Sequence, residues 1–234
     1  MSSLRGQYGP SIGLAGRITP GIKGLFIANF SVYVLQILTQ RVGNLPIEPI
    51  FGLRPEMVYR GWLFQLVTYM FLHYTGWLFH IVLNMLMLWM FGTEVERAWG
   101  TREFVKYYFL CGIGAGIVSC LTFPNTMTIG ASGAVFGVML AYAFMFPRRQ
   151  IYFWFLFPME ARSFVLLCAG IELFELLNLP DGVAHTAHLG GMLFGYLYLK
   201  RAWRLREFLT ELRWKLRRRR FKVMHQDDDH YPYH

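Results

Sequence analysis

Charged residues are scarce in this sequence. Asp, Glu, Lys and Arg together make up 16% of the 234 residues, whereas soluble domains carry about 25%. Hydrophobic residues make up 55% of the chain, and they occur in long runs typical of membrane-crossing segments. In the alternative, a soluble all-helical protein, the few polar segments could not cover so much apolar surface. We therefore predict an all-α, polytopic membrane protein.

Cysteines are also few, and no removable leader is expected. The three cysteines, Cys111, Cys120 and Cys168, lie in apolar segments without the spacing of a metal site. We expect them to pack as small hydrophobic residues without a disulfide framework. Near the start, no apolar stretch of roughly 7–15 residues precedes a small-residue cleavage site, so no signal peptide is expected.

The formal net charge of +9 is concentrated at one end of the chain. Between Lys200 and Lys222 there are 11 Lys or Arg residues and two Glu. A basic cluster directly after a span is typical of a cytoplasmic anchor to anionic lipid. Nucleic-acid binding, the competing interpretation, is disfavoured because no folded domain would present the cluster. We expect an N-terminal cytoplasmic segment (1–20), a membrane domain (21–199) and a basic cytoplasmic tail (200–234).

Hydropathy predicts six transmembrane helices and two shorter apolar segments. The short segments are Gly61 to Leu72, predicted to form a re-entrant or interfacial first loop, and Ile151 to Pro158, predicted to be a half-buried link. The approximate bounds of the six spans are Ile22 to Leu38, Leu78 to Val95, Phe104 to Leu121, Ser132 to just before Pro147, Ala161 to Leu177, and Val183 to Leu199.

Loop charges predict the orientation. Basic residues follow spans two, four and six, whereas the loops after spans three and five carry at most one charge, Asp181. By the positive-inside rule both termini are cytoplasmic. Spans four and six then both start from the outer side, so residues near their starts can meet in the outer half of the bilayer. A bacterial inner membrane is the expected location.

Ser132 lies in the run Gly130-Ala131-Ser132-Gly133, which opens the fourth span. A helix start has unpaired backbone N–H groups and favours negative charge, which suits the oxyanion of an acyl-transfer reaction. A nucleophilic serine is therefore one interpretation. A simple N-cap, a position that serine fills well, is the other.

The sixth span contains a histidine beside glycines. At about 100° per residue, His188, Gly191 and Gly195 lie on one helix face, and the fourth span has the matching pair Gly133 and Gly137. Glycines four apart allow two helices to approach closely. Such a contact would bring Ser132 within reach of His188; glycines that only pack helices are the alternative.

The second span adds His80 and Asn84, which are four residues apart and share a helix face. Side-chain donors there could complete an oxyanion hole, although a structural pairing between spans would use the same residues. No acidic residue lies in spans four or six. The pattern therefore predicts a Ser–His dyad without a third member that orients the base.

These motifs resemble the rhomboid intramembrane serine proteases over roughly residues 20 to 200. The resemblance depends on His80-Ile-Val-Leu-Asn84, on Gly130-Ala-Ser-Gly133 and on the sixth-span sequence that contains His188 and Gly191. Glu96-Arg97 also looks like the family's Glu-Arg stretch. Phe64-Gln65 departs from a Trp-Arg pair that many members carry, which could alter the loop or substrate gating.

The resemblance implies specific roles. Ser132 would be the nucleophile and His188 its general base, with an oxyanion hole formed by His80, Asn84 and the Ser132 backbone N–H. Phe136, where some members have tyrosine, would stack on the base. Helix packing and support of the site would involve Gly130, Gly133, Gly137, Gly191 and Gly195. His185 and His73 receive no role in proton transfer and are expected to contact water or loops.

The expected function is therefore cleavage of transmembrane protein substrates, without metal or cofactor. A rhomboid-like protein that binds and guides membrane proteins without cutting them is one alternative. Proton-linked transport is another, for which Glu172 and Glu175 of the fifth span could form a polar seam.

Overall fold

The structure is a computed structural model that describes residues 17–43, 45–153, 157–178 and 185–201. The predicted N-terminal segment up to residue 16 and the basic tail after residue 201 lie outside the described residues. Contacts divide the chain into a main unit, Met1–Leu197, and a C-terminal unit, Tyr198–His234. The structure describes only residues 198–201 of the second unit.

The described residues are mostly helical. A 3-10 turn (Tyr69–Phe71) follows α4, and a π-helical turn (Leu88–Gly92) joins α5 to α6. Two short strands, β1 (Gln150–Phe153) and β2 (Phe157–Glu160), precede α9. The helices are α1 (Pro20–Gly43), α2 (Glu48–Phe51), α3 (Pro55–Tyr59), α4 (Gln65–Thr68), α5 (Phe79–Met87), α6 (Thr93–Trp99), α7 (Thr101–Thr122), α8 (Ser132–Met145), α9 (Ala161–Asn178) and α10 (residues 185–201).

The mainly helical fold is confirmed, whereas the count of six spans stays a prediction. Each predicted span corresponds to a helical segment, and the second covers α5, the π turn and the start of α6, ending before Glu96. In the described residues two helices, α1 and α7, are long and apolar enough to cross a bilayer, and α8 is a shorter apolar helix. The predicted start of the sixth span, at Val183, lies outside the described residues.

The expectation of a purely helical chain is wrong at one place. Residues predicted to form a half-buried link instead form an antiparallel hairpin, in which Gln150 pairs with Glu160 and Ile151 with Met159. The strands are only four residues each, too short for a periodic pattern in the sequence. β-Branched and aromatic residues in β1 favour the extended backbone.

The core lies around α7, which packs against α8. Tyr107, Tyr108 and Cys111 of α7 are fully buried, and the Tyr107 hydroxyl donates to the Gly137 carbonyl of α8 at 2.8 Å. The three cysteines are free thiols, as expected. A Cβ on Gly133 would lie 2.5 Å from the Cβ of Ala115, so small residues set the α7–α8 distance.

The outer helices expose apolar side chains. On α1 the exposed residues include Ile27 and Val34, and on α9 they include Leu166, Phe174 and Leu177, which is 76% exposed. In water such faces would be costly, whereas in a bilayer they contact lipid tails. This pattern agrees with a membrane-embedded bundle.

A buried carboxylate ties the start of α1 to α6 and α7. Glu96 is 2% exposed and accepts from the backbone N–H groups of Gly21 and Ile22 at 2.7 and 2.9 Å. The hydroxyls of Thr19 and Thr101 also donate to it. Burial alone would raise the pKa of Glu96, but the four hydrogen bonds outweigh burial and hold its pKa below the ordinary value. Glu96 thus caps the positive end of α1.

We expect Glu96→Gln to lower the free energy of unfolding by about 2 kcal/mol, since hydrogen bonds to charged groups contribute about 1.5–3 kcal/mol. Because the folded pKa is depressed, the carboxylate stabilises the protein above its unfolded pKa of about 4.3, and this contribution is lost as the pH falls through the folded pKa. Thermal unfolding in detergent across that pH range measures both effects.

The matched control is Glu103→Gln. Glu103 is 43% exposed and pairs with Lys106 at 3.4 Å, and exposed pairs contribute at most about 1 kcal/mol. An equal loss of stability in both variants would contradict the anchoring role of Glu96.

Candidate active site

The loop before Ser132 is held by backbone hydrogen bonds to the first loop. Thr128 exchanges two such bonds with Leu53, at 2.9 and 3.0 Å, and the Gly130 N–H donates to the Tyr69 carbonyl at 2.9 Å. Tyr69 is itself buried, and its hydroxyl donates to the Gly112 carbonyl of α7. The segment that leads to Ser132 is therefore fixed to the first loop at Thr128 and at Gly130.

Ser132 is the first residue of α8, and it does not cap the helix. The N-cap position is Ala131, and no side-chain capping bond is present there. The N-cap interpretation of Ser132 is therefore wrong. Its half-buried side chain lies beside the N–H groups of the first helical turn, which have no partner within a helix.

Gly130 lies between Ser132 and His80. Its φ of +126° is a conformation that side chains rarely adopt. A Cβ there would lie 3.1 Å from His80 Nε2 and 3.7 Å from Ser132 Oγ. Both atoms therefore border the space that glycine leaves open at this position.

The hydrogen bonds of His80 determine which ring nitrogen carries its proton. Its Nδ1 accepts the backbone N–H of Tyr74 at 3.1 Å, so the neutral ring carries its hydrogen on Nε2. His80 thus offers an N–H donor on the side of Ser132. One hydrogen of the Asn84 amide is used by the His80 carbonyl, at 2.7 Å, which leaves the amide a second donor.

The fourth-span and sixth-span glycines meet, and α8 contacts α10 directly. A Cβ on Gly191 would lie 1.9 Å from the Gly133 carbonyl oxygen, and one on Gly137 would lie 3.1 Å from the Gly191 carbonyl. A Cβ on Gly195 would instead lie 2.5 Å from the Tyr107 hydroxyl of α7. The backbones of α8 and α10 therefore touch at Gly133 and Gly191.

His188 lies at this contact. The ring of Phe136, one turn after Ser132, stacks on the His188 ring with centroids 4.3 Å apart and planes 7° apart. In the described residues no hydrogen bond joins Ser132 Oγ to His188, a looseness that is common in enzymes without substrate. The two residues lie on the contacting faces of their helices.

The structure also brings a carboxylate to His188. Glu172 Oε2, on α9, lies 2.9 Å from His188 Nδ1 and accepts a hydrogen bond from His185 Nδ1 at 2.7 Å. The sequence interpretation considered acidic residues only in spans four and six, and it therefore missed this carboxylate, which the fifth span supplies. His185, expected to contact water or loops, instead binds this carboxylate. Glutamates inside an otherwise apolar helix are the sequence signal that could have indicated this contact.

Of the two surroundings predicted for His73, water or loop, the structure has the loop: its Nδ1 atom lies 3.3 Å from the Phe71 carbonyl oxygen. His73 is fully buried, not water-contacting, and its ring meets the His80 ring edge-on, with centroids 5.1 Å apart. Burial, together with a contribution from His80, lowers the pKa of His73 to about 4. Its backbone is clamped by Gln36, which both donates to the His73 carbonyl and accepts its N–H. The neutral His73 ring thus packs against the His80 ring and limits its movement.

Gln65, which with Phe64 replaces the Trp-Arg pair mentioned above, forms hydrogen bonds within the first loop. It is fully buried; its amide donates to the Ile50 carbonyl at 2.8 Å and accepts the Arg54 N–H at 3.0 Å. Its neighbours Trp62 and Phe64 are 40% and 45% exposed. The amide thus holds the loop inward while the adjacent aromatic rings face outward, which agrees with an interfacial segment.

The sequence of this chain is similar to a known protein family and to several curated proteins. A family model described as the Rhomboid domain matches residues 60–204. Rhomboid protein 1, mitochondrial, of Saccharomyces cerevisiae is 32% identical over 50% of this chain and 36% of its own length. RHOMBOID-like protein 12, mitochondrial, of Arabidopsis thaliana is 28% identical over 73% of this chain and 54% of its own.

Presenilin-associated rhomboid-like protein, mitochondrial, of Rattus norvegicus is 30% identical over 61% of this chain and 38% of its own length. The chain thus spans roughly a third to a half of the length of these relatives. Because the Rhomboid domain match covers more than half of the chain and includes all of α8 and α10, this protein belongs to the rhomboid family.

Proposed function

We propose that this protein is an intramembrane serine endopeptidase that uses Ser132 as nucleophile and His188 as general base. The observation that carries the proposal is the contact between α8 and α10. The helix that begins at Ser132 touches the helix that bears His188 at Gly133 and Gly191, and Phe136 stacks on His188. A hydroxyl and an imidazole within a membrane bundle are costly unless they face one another or water.

The proposed reaction follows serine-protease chemistry. As Ser132 Oγ attacks the scissile carbonyl, its proton passes to His188 Nε2, which then gives it to the leaving amine. The developing oxyanion would accept hydrogen bonds from His80 Nε2–H, from the Asn84 amide and from the free N–H groups at the start of α8. Water activated by His188 would release the acyl group from Ser132.

The substrate class follows from the location of the site. The rhomboid family is membrane-embedded, and Ser132 lies in the apolar bundle described above, so transmembrane proteins are the proposed substrates. A substrate helix must unwind locally before its carbonyl can reach Ser132, which favours Gly, Pro and small residues near the cut. No cofactor is required for this chemistry.

The proposed topology has six spans, cytoplasmic termini and a basic tail held at anionic lipid. Hydrolysis also requires a path for water to Ser132 from the outer side. Three of the relatives named above are mitochondrial by name. They give no support to a bacterial inner membrane, and we place the protein only in a membrane.

A fluorophosphonate probe on the purified protein tests the proposal. We expect covalent labelling at Ser132, located by peptide mass spectrometry, because only an activated serine reacts readily with such probes. Exposed Ser163 of α9 serves as the internal control and should stay unlabelled. Absence of labelling at Ser132 in folded protein would favour the alternative, a rhomboid-like protein that binds and guides membrane proteins without cutting them.

A further inference from the structure

A carboxylate from a third helix lies against the proposed base, and it contacts the ring nitrogen that the proposed reaction does not use. Glu172 of α9 lies 2.9 Å from His188 Nδ1 through its Oε2 atom. Its side chain is 12% exposed and that of His188 15%. A charge that forms on His188 so near this little-hydrated carboxylate would be screened far less than a charge at the surface.

We propose that Glu172 is a positioning residue, which holds His188 in the orientation and tautomer needed for proton transfer and stabilises its charged form. This inference rests on the proposed protease function. It extends the predicted Ser–His dyad into a group of three, whose acidic member comes from α9 and not from either helix that bears the dyad.

The hydrogen bonds around Glu172 favour this role. His185 Nδ1 donates to the same Oε2 atom at 2.7 Å. The exposed Glu175 carboxylate lies 3.4 Å from His185 Nδ1, which is too long for a strong hydrogen bond, and it does not hold Glu172. The carboxylate of Glu172 is therefore held in place by α10 itself. With its Nδ1 proton directed at this acceptor, neutral His188 would keep the lone pair of Nε2 for the Ser132 proton.

The contact is close but not yet aligned. His188 Nδ1 is buried and makes no well-directed hydrogen bond in the described residues, although the carboxylate oxygen is 2.9 Å away. A small rotation of the ring would align the pair, and hydrogen bonds at catalytic sites often tighten only when substrate binds. Phe136, stacked on the ring face, allows rotation within the ring plane while it resists tilting.

When the Ser132 proton reaches Nε2, His188 becomes an imidazolium ion in a poorly hydrated bundle. The negative charge of Glu172 then offsets the cost of this buried positive charge. Glu172 neither donates nor accepts a proton in this step. The proton moves from Ser132 Oγ to His188 Nε2 and then to the leaving amine. Its effect should therefore fall on turnover more than on substrate binding.

A metal site is the competing use of these residues. The ligand atoms of Glu172, His185 and His188 all lie within 4.8 Å of one another. Ligands of a tetrahedral zinc ion lie about 3.3 Å apart, given bonds of about 2.0 Å. The two N···O distances from Glu172, 2.7 and 2.9 Å, are shorter than that and match direct pairing.

The test compares Glu172→Gln with Glu175→Gln in the purified full-length chain, with a single-span substrate. Glu175 is on the same helix and its side chain is 40% exposed. We expect Glu172→Gln to lower kcat by about 10- to 100-fold with KM changed less than about twofold, a smaller loss than the roughly 10⁴-fold of an aligned triad aspartate. Glu175→Gln should stay within about twofold of wild type in both constants.

Glu172→Asp provides the rescue variant and keeps the test decisive if the Gln variant does not fold. Aspartate retains the negative charge, but its side chain is one methylene shorter, so the carboxylate lies farther from His188. Its kcat should therefore lie between the kcat of wild type and that of Glu172→Gln. Thermal unfolding midpoints of all variants separate a catalytic loss from a structural one. Equal kcat values for Glu172→Gln and Glu175→Gln, or a loss confined to KM, would overturn the positioning role.

Two further outcomes are distinguishable. If a chelator changes the wild-type rate and has no effect on Glu172→Gln, the three side chains form a metal site and the positioning role is wrong. If wild type shows no cleavage that depends on Ser132, the proposed protease function itself fails. Activity in wild type with no effect of Glu172→Gln overturns only the present inference.

Discussion

Replacing Ser132 by alanine should abolish cleavage of a single-span substrate while the protein remains folded. The side chain makes no capping hydrogen bond at the start of α8, so its removal should cost little stability. The nucleophile, by contrast, is indispensable: removal of a catalytic serine lowers kcat by about 10⁶-fold in a soluble serine protease. The measurement is release of the cleaved fragment in proteoliposomes, with thermal unfolding as a check on the fold.

The double variant makes this prediction more specific. If Ser132 and His188 act as one unit, Ser132→Ala combined with His188→Ala should be no less active than either single variant, because losses within a catalytic unit are not additive. Ser163→Ala, at an exposed position of α9, should retain full activity. Residual cleavage by Ser132→Ala near the wild-type rate would exclude the nucleophile assignment.

Local patterns were sufficient to predict the contact between α8 and α10. Glycines spaced by four residues are typical of helices that approach closely. Gly133 of the fourth-span pair and Gly191 of the sixth-span pair touch in the structure. The bounds of α8 and α9 also follow from hydropathy, because Pro147 and the polar residues near 160 and 178 interrupt the apolar runs.

Contacts between helices distant in sequence could not be predicted in this way. Glu172 of α9 contacts His188 of α10. A glutamate within an apolar span indicates that some polar partner is present, but the sequence does not specify which helix supplies that partner. His73 is buried because Gln36 of α1 clamps its backbone across 37 residues of sequence. The π-helical turn at Leu88–Gly92 contains no proline. Its one weak helix former, Gly92, packs against Ile22, from which an added Cβ would lie only 2.7 Å away, so the turn depends on tertiary contacts as well as on local propensity.

Gly191→Ala should disrupt both stability and activity more than any other single-methyl change in the bundle. The added Cβ would lie 1.9 Å from the Gly133 carbonyl oxygen and 2.6 Å from its carbonyl carbon. Both are backbone atoms that cannot rotate away, so α10 must move from α8 by more than an ångström. We expect a loss of about 3 kcal/mol or more in unfolding free energy. Since misplacement by about 1 Å can cost a factor of about 100 in rate, cleavage should fall at least that far.

Two further Gly→Ala variants serve as comparisons, because the added methyl group contacts different atoms in each. Gly170→Ala on α9 meets nothing within 4 Å and should gain up to about 1 kcal/mol from helix propensity. Gly195→Ala meets the Tyr107 hydroxyl at 2.5 Å, the end of a side chain, and should fall between the two. Unfolding midpoints and cleavage rates should therefore rank Gly170→Ala first, Gly195→Ala second and Gly191→Ala last. A Gly191→Ala protein as stable and active as Gly170→Ala would mean that the backbones of α8 and α10 do not touch at Gly133, and the approach of His188 to Ser132 would lose its structural basis.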